Sequence, residues 1–337
     1  MSAVDANTGS LELGAPYPRN REEWRRSFSP EDRARLAELH RPTVWTRAKA
    51  LALLAIWIVC GYVAVTVDSL WARLPMWLII GFALHGLAVL MHEAAHRTFF
   101  RNPKLDRIAG FLLGLPVFFS CSCYRATHML HHQYENTARD PDNLATAVKT
   151  RWLRHVVFYG WLFVGTPGYI VSVTLAGAFR ARGLQDKIAC VVEPLLTVAF
   201  YAALFTLAGR YNFGDVVANG WAWALPFAMV IANIRGLAEH TQISHGTPPD
   251  PIRSTRSLTS TRFVSFFLNN QNYHLEHHLF PSMPWDNLPK VRALMRPLYD
   301  KHQAPVANGY AAWLVNACRY GPDSALRYRD GRAYPER

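Results

Sequence analysis

"LPMWLIIGFALHGLAVLMHEAAH", Leu74 to His96, decides the fold. From Leu74 to Met91 the run carries no formal charge, and at 1.5 Å per residue it can cross a hydrocarbon core about 30 Å thick. Where the apolar run stops, His92 and His96 begin. Residues four apart lie one turn apart on the same helix face. The stretch therefore reads as a membrane span that delivers two aligned imidazoles to one interface.

Five further apolar runs flank it. Ala50–Val67 is uncharged, and the short link "DSLWAR" (Asp68–Arg73) makes the two runs a helical hairpin. Ile108–Ser122 is shorter and contains Gly110, Gly114 and Pro116, which predicts a segment that dips into the bilayer without crossing. Val156–Phe179 is interrupted by "GTPG" (Gly165–Gly168) and is likewise expected not to cross. Ile188–Gly209, broken early at Glu193-Pro194, and Trp221–Ile234 form a second hairpin around "RYNFGD" (Arg210–Asp215). The arm with Arg19, Arg21, Arg25, Arg26, Arg33, Arg35, Arg41 and Arg47, and the link "RARGLQDK" (Arg180–Lys187), belong in the cytoplasm by the positive-inside rule. The expected fold is an all-α integral membrane protein. It has four transmembrane helices in two hairpins, with a cytoplasmic helical cap and both termini inside. Six full spans is the alternative.

The expected parts are an Arg-rich cytoplasmic arm (1–45), a membrane domain (46–303) and a tail (304–337). In the arm, "SPEDRARLAELH" reads as a short surface helix with Ser29 as N-cap and Pro30 in its first turn. "DNLPKVRALMRPLYDKHQ" (Asp286–Gln303) is an amphipathic helix that either caps the site or lies on the membrane. The net charge of +12 flanks apolar runs and forms no separate domain, which points to anionic lipid headgroups and excludes nucleic acid. The N-terminal stretch shows no signal-peptide pattern. Cys60, Cys121, Cys123, Cys190 and Cys318 form no Cys-x-x-Cys pair, which excludes a disulfide framework and suits a reduced compartment. Arginine far exceeds lysine, a bias of GC-rich bacterial genes, so the expected location is a bacterial inner membrane.

Eight of the 14 histidines fall into three sets. His92 and His96 stand in "HEAAH", His128, His131 and His132 in "HMLHH", and His274, His277 and His278 in "HLEHH". One His-x-x-His-His is expected roughly 0.02 times by chance at this histidine frequency, so two are a specific signal. His85, His155 and His302 stand alone and read as satisfied core residues. Adjacent helical residues diverge by about 100°, so each His-His pair can serve two different metal ions. Eight neutral nitrogens exceed the needs of one structural zinc and fit two ions, with imidazole suiting Fe, Zn, Cu and Ni. In the expected topology all three sets emerge on the cytoplasmic side.

These three boxes, their order, the spans and the ending "NYHLEHHLFPSMPW" resemble the membrane fatty acid desaturase superfamily, over roughly residues 50 to 300. That superfamily also holds hydroxylases and carotenoid ketolases. The resemblance implies a non-haem di-iron centre on the cytoplasmic face, with two Fe ions held by His92, His96, His128, His131, His132, His274, His277 and His278. It further implies that molecular oxygen and two electrons remove two hydrogens from adjacent methylenes of an acyl chain. The family commonly adds a histidine at the inner end of the last span, which His240 in "RGLAEHTQ" matches, with His245 as competitor. His274 stands where front-end desaturases carry Gln, and no His-Pro-Gly-Gly haem motif is present. Electrons are therefore expected from a separate ferredoxin-type or cytochrome-type donor, steered by the basic inner face. "HEAAH" and "NYHLEHH" also resemble ketolase boxes, which leaves a di-iron hydroxylase or carotenoid ketolase, inserting oxygen into a lipid-like substrate, as the alternative activity.

A metal-bound imidazole needs an acceptor for its other N–H. Glu93, Asp140, Asp142, Glu239 and Glu276 lie next to the boxes and are the expected partners, and Asn270 is a candidate to hold a metal-bound water. "FLLGLPVFF" (Phe111–Phe119) and the spans offer an apolar lining for an acyl chain of a lipid or lipid-like substrate. Arg125, Arg235 and Arg262 are candidates to meet its headgroup or thioester.

Overall fold

The structure is a computed structural model that describes residues 28–135, 139–143, 148–243, 251–253, 255–323, 326–329 and 332–335. Arg19, Arg21, Arg25, Arg26 and His245 lie outside the described residues.

Helix α1 (Pro30–Leu39) is capped by Ser29, whose Oγ accepts from Asp32 N at 3.0 Å. Helix α2 (Val44–Thr66) opens with a reciprocal cap, in which Thr43 Oγ1 accepts from Trp45 N and Thr46 Oγ1 from Thr43 N. Helix α3 (Leu70–His96) returns antiparallel to it and ends at Arg97, which takes a left-handed φ of 61°. Thr98 locks that end by donating to the Glu93 carbonyl at 2.9 Å. On α3, Gly86 permits a close backbone approach. A Cβ there would sit 2.8 Å from Phe267 O, and Asn269 Nδ2 donates to Gly86 O at 2.8 Å.

Helices α4 (Pro103–Gly114), α5 (Cys121–Tyr134), α6 (Arg151–Arg180), α7 (Leu184–Arg210), α8 (Gly214–Gly220) and α9 (Leu225–His240) follow. The chain folds back by 98° between α4 with its 3-10 extension and α5, a sharp bend within the segment expected to dip into the bilayer. Its tip is tied to neighbouring elements. Tyr201 Oη donates to Leu115 O at 2.7 Å and Trp221 Nε1 to Pro116 O at 2.9 Å. The buried Glu193 carboxylate accepts from Ser120 Oγ at 2.8 Å and Ser122 N at 2.9 Å at the start of α5, and from Ser122 Oγ.

Two expected interruptions are absent. Helix α6 runs unbroken through Pro167 and α7 through Pro194. A proline removes one N–H and tilts one carbonyl, and in a packed apolar setting neighbouring groups absorb that disturbance. Beside Pro167, Thr166 donates to Asn233 Oδ1 on α9 at 2.6 Å. Glu193 is an anchor for α5 instead of a break. Among the described residues five segments are consequently long and apolar enough to cross a membrane: Pro30–Thr66, Leu70–His96, Arg151–Arg180, Leu184–Arg210 and Gly214–His240, or six with the bent pair. Large apolar side chains such as Ile58, Val59, Leu195, Val198 and Phe205 face outward, as lipid contact requires.

Both ends of α6 lie against histidine-bearing elements. Near its start, Phe158 is buried with Leu237 of α9. Near its end, Gly177 touches Cys123 of α5, and Arg180 Nη1 donates to Thr127 Oγ1 at 3.3 Å.

The remaining chain forms a cap: β1 (Ser257–Leu258), α10 (Arg262–Phe267), α11 (His274–Leu279), α12 (Leu288–His302), β2 (Val306–Ala307) and α13 (Gly309–Tyr320). Strand β1 pairs in parallel with β2, and a hairpin of β3 (Leu326–Arg329) and β4 (Arg332–Pro335) follows. Apart from these ribbons the described fold is helical. The apolar face of α12 (Val291, Met295) packs with Leu275 and Leu279 of α11 and with Leu36 of α1. This amphipathic helix thus packs on the histidine-bearing helix α11.

Candidate metal centre

Four elements bring nine histidines together. Helix α3 carries His92 and His96 at its end, α5 carries His128, His131 and His132, α9 ends at His240, and α11 carries His274, His277 and His278. Seven are buried and two, His96 and His240, half-buried. Their ring nitrogens converge in two neighbouring sets. His92, His96, His128, His132 and His277 each offer a nitrogen within 4.8 Å of all the others, and so do His131, His240 and His278 with Glu135. His274 joins the second set through His240, Nε2 to Nε2 at 2.8 Å, and His278 at 3.1 Å. Each adjacent pair is divided: His131 and His278 serve one set, His132 and His277 the other. The sets touch where the rings of His132 and His278 stack at 4.2 Å.

Hydrogen bonding alone does not account for the first set. His128 Nε2 lies 2.9 Å from His92 Nε2, 3.0 Å from His96 Nε2 and 3.0 Å from His132 Nε2. One ring nitrogen carries either one proton or one lone pair, so it can satisfy one of these contacts and not three. Nitrogens bound at right angles to a shared ion at about 2.1 Å are separated by about 3.0 Å. The chemistry and spacing of the donors therefore fit metal ions.

Carboxylates stand at the other nitrogen of three of the rings, by a hydrogen bond at His131 and by ion-pair distance at His274 and His278. His131 Nδ1 is 2.9 Å from Asp140 Oδ1, His278 Nδ1 3.1 Å from Glu135 Oε2, and His274 Nδ1 3.2 Å from Glu239 Oε2. Tyr124 Oη lies 3.2 Å from His128 Nδ1. A carboxylate at Nδ1 favours the tautomer with its proton there and leaves the Nε2 lone pair for an ion. Against the effect of its burial, the Asp140 carboxylate raises His131 to about 9, so an ion bound there must displace a proton. Burial, and then the positive charge of Arg235 and His131, push His277 down to about 3, and burial holds His274 well below the ordinary imidazole value. Both are neutral at pH 7, the form a metal requires.

The sequence-expected partners divide. Asp140 and Glu239 reach a ring, and Asp142 Oδ2 lies farther from His131 Nδ1, at 3.9 Å, while accepting from Tyr169 Oη at 3.1 Å. Glu93 is 3.8 Å from His92 Nδ1 and mainly joins segments, accepting from Thr98 Oγ1, from Gln271 Nε2 at 3.2 Å and from Trp285 N at 3.1 Å. Glu276 turns to Ser257 and to Arg292, at 2.9 Å, and Asn270 Nδ2 donates to Trp285 O. Two residues were missed. Glu135 sits one turn after His131, a spacing that could have flagged it. Tyr310, which donates to Glu239 Oε1 at 3.1 Å, comes from the far end of the chain and left no local signal. Among the lone histidines, His85 is buried, and its Nε2 has no hydrogen-bond partner among the described residues.

A family model described as "Fatty acid desaturase" matches residues 68–310, which takes in every one of these histidines. The chain belongs to the fatty acid desaturase family. It is similar to the sn-1 oleoyl-lipid 12-desaturase of Picosynechococcus sp., 25% identical over 79% of this chain and 80% of the relative. It is similar also to the dihydrorhizobitoxine desaturase of Bradyrhizobium elkanii, 26% identical over 92% of each, and to a sphingolipid delta(4)-desaturase of Drosophila melanogaster, 24% identical over 66% of this chain and 68% of the relative. This desaturase is thus an integral membrane oxidoreductase of the fatty acid desaturase type, with histidine clusters able to bind metal.

Proposed function

We propose that this protein is an oxygen-dependent desaturase that introduces a double bond into the acyl chain of a lipid or lipid-like substrate. The observation that carries this reading is the pair of imidazole sets meeting under one helical cap. The oleoyl-lipid and sphingolipid relatives support a lipid substrate. Two iron ions are the proposed cofactors. His92, His96, His128, His132 and His277 would hold one, and His131, His240, His274 and His278, with Glu135 in reach, the other. Bound iron would supply oxygen activation and the removal of hydrogen from unreactive methylenes.

The chain's own residues have three tasks. Asp140, Glu135 and Glu239 hold the imidazoles in register. The layer of Leu275, Leu279, Val291 and Met295 keeps water from the ring side of α11. The apolar faces of the spans receive the acyl chain. Electrons come from a separate ferredoxin-type or cytochrome-type donor on the basic face.

The proposed topology has four crossings, α2, α3, α7 and α8–α9, within a membrane domain of residues 46–303 flanked by an arm and a tail. Helix α6 is long enough to cross, yet both its ends meet histidine-bearing elements, which favours a course along the interface. The histidine side faces the cytoplasm of a bacterial inner membrane, consistent with the arginines at Arg33, Arg35, Arg41, Arg47, Arg180 and Arg182.

Mass spectrometry of host lipids with and without the expressed chain tests the reading. The expected result is a new double bond with no uptake of label from heavy oxygen gas. Labelled product would instead identify a hydroxylase or ketolase.

A further inference from the structure

Of the three arginines expected near a headgroup, two are engaged. Arg125 donates to the Ala95 carbonyl, and Arg235 lies 3.4 Å from Glu239. Arg262 instead lines a cavity of about 450 Å³ between α2 and the start of the cap, and there it meets a cation that sequence reading passed over. Lys49, on the inner turn of α2, is 6% exposed. Its ammonium lies 3.0 Å from the centroid of the Phe266 ring and 5.5 Å from that of Trp285. Among the described residues no carboxylate is paired with Lys49, and the lining includes none. The rest of the lining combines aromatic and neutral polar groups, among them Trp45, Ser265, Asn270 and Tyr273.

A cation drawn from water into an aromatic niche loses hydration that ring faces restore only in part. With no carboxylate on the lining, an anion from outside is the charged partner this cavity can accept. The cavity opens beside the exposed, apolar Trp45 of α2, which is part of its lining. An anionic group bound there would therefore hang from an apolar tail. It would also sit beside the metal centre, because Trp285 N binds Glu93 and Tyr273 caps α11. We propose that Lys49 and Arg262 form a binding site for the anionic end, carboxylate or phosphate, of an amphiphilic substrate, and that this contact sets how far along its chain the substrate is presented. The last clause rests on the desaturase reading. The binding itself does not.

The test uses the full chain in an uncharged detergent and measures equilibrium binding of oleate, oleyl alcohol, phosphatidate and inorganic phosphate. Oleate or phosphatidate should bind wild type, with affinity falling about tenfold in Lys49→Met and restored in Lys49→Arg. Oleyl alcohol should bind more weakly and show no dependence on residue 49. Equal oleate and phosphatidate affinity in wild type and Lys49→Met, with thermal stability unchanged, would overturn the proposal. So would displacement by inorganic phosphate as effective as by the amphiphile, which would mark a simple anion site. Of the two amphiphiles, the one lost on mutation identifies the headgroup. Binding is read without turnover, so failure of the proposed reaction would leave this result intact. A shifted double-bond position in Lys49→Met would test the presentation clause.

Discussion

His128 sits at the crossing point of the first set, its Nε2 about equally close to three other imidazole nitrogens. Replacing it with Ala should abolish turnover and lower bound iron, read by elemental analysis, while the chain still inserts in membranes. Asp140 acts through His131. Asp140→Ala should cost about 10- to 100-fold in metal affinity or activity, with Asp140→Asn milder because its amide oxygen still accepts from Nδ1. Acid should act through His277. Its folded pKa, about 3, lies below the ordinary imidazole value of 6.5, so the unfolded chain binds more protons between those limits. The metal-stripped protein should therefore melt at progressively lower temperature as pH falls from 7 towards 4, and an unchanged melting temperature would refute the assignment. The convergence of the box histidines was legible from their spacing. Glu276 shows the limit of that method, because adjacency in sequence to His277 did not decide which way the carboxylate points.

Two contacts govern how elements meet. At Gly86 the α3 backbone and the Phe267–Asn269 turn are so close that a side chain needs space held by Phe267 O and Leu53. Gly86→Val should destabilise the protein by about 1–3 kcal/mol, measured as a fall in thermal stability, and should loosen the third box as well. Glu193 joins α7 to the start of α5. Glu193→Leu leaves Ser120 and the Ser122 N–H without their acceptor, a loss of about 1–3 kcal/mol that Glu193→Gln should partly spare. The sequence marks Glu193-Pro194 and Gly165–Gly168 as breaks because glycine, proline and a lone acid are unfavourable inside helices taken singly. Their partners, Ser122 and Asn233, lie 71 and 67 residues away, and no local pattern encodes such pairing.

For the whole molecule, apolar run length was enough to specify a helical membrane protein, and the spacing of the boxes was enough to anticipate histidine clusters able to bind metal. The count of candidate spans was less legible, since a helix along the interface and one across the bilayer share much the same composition. Reporter fusions after Thr66, Arg182 and Tyr211 should decide this. Four crossings place Arg182 inside and the other two outside. With a purified acidic donor, turnover should fall as salt rises from about 50 to 300 mM, because screening weakens steering towards the basic face.

The bond from Trp285 N to Glu93 also has a meaning for biosynthesis. When the last span leaves the ribosome, the membrane already holds His92 through His240, yet the first set lacks His277 and the second lacks His274 and His278. Glu93 then waits for a partner nearly two hundred residues downstream. Metal loading is thus expected late, after the third box has docked. A chain released just beyond His240 would be inserted but unable to retain its metals, a difference that elemental analysis of stalled chains can read directly.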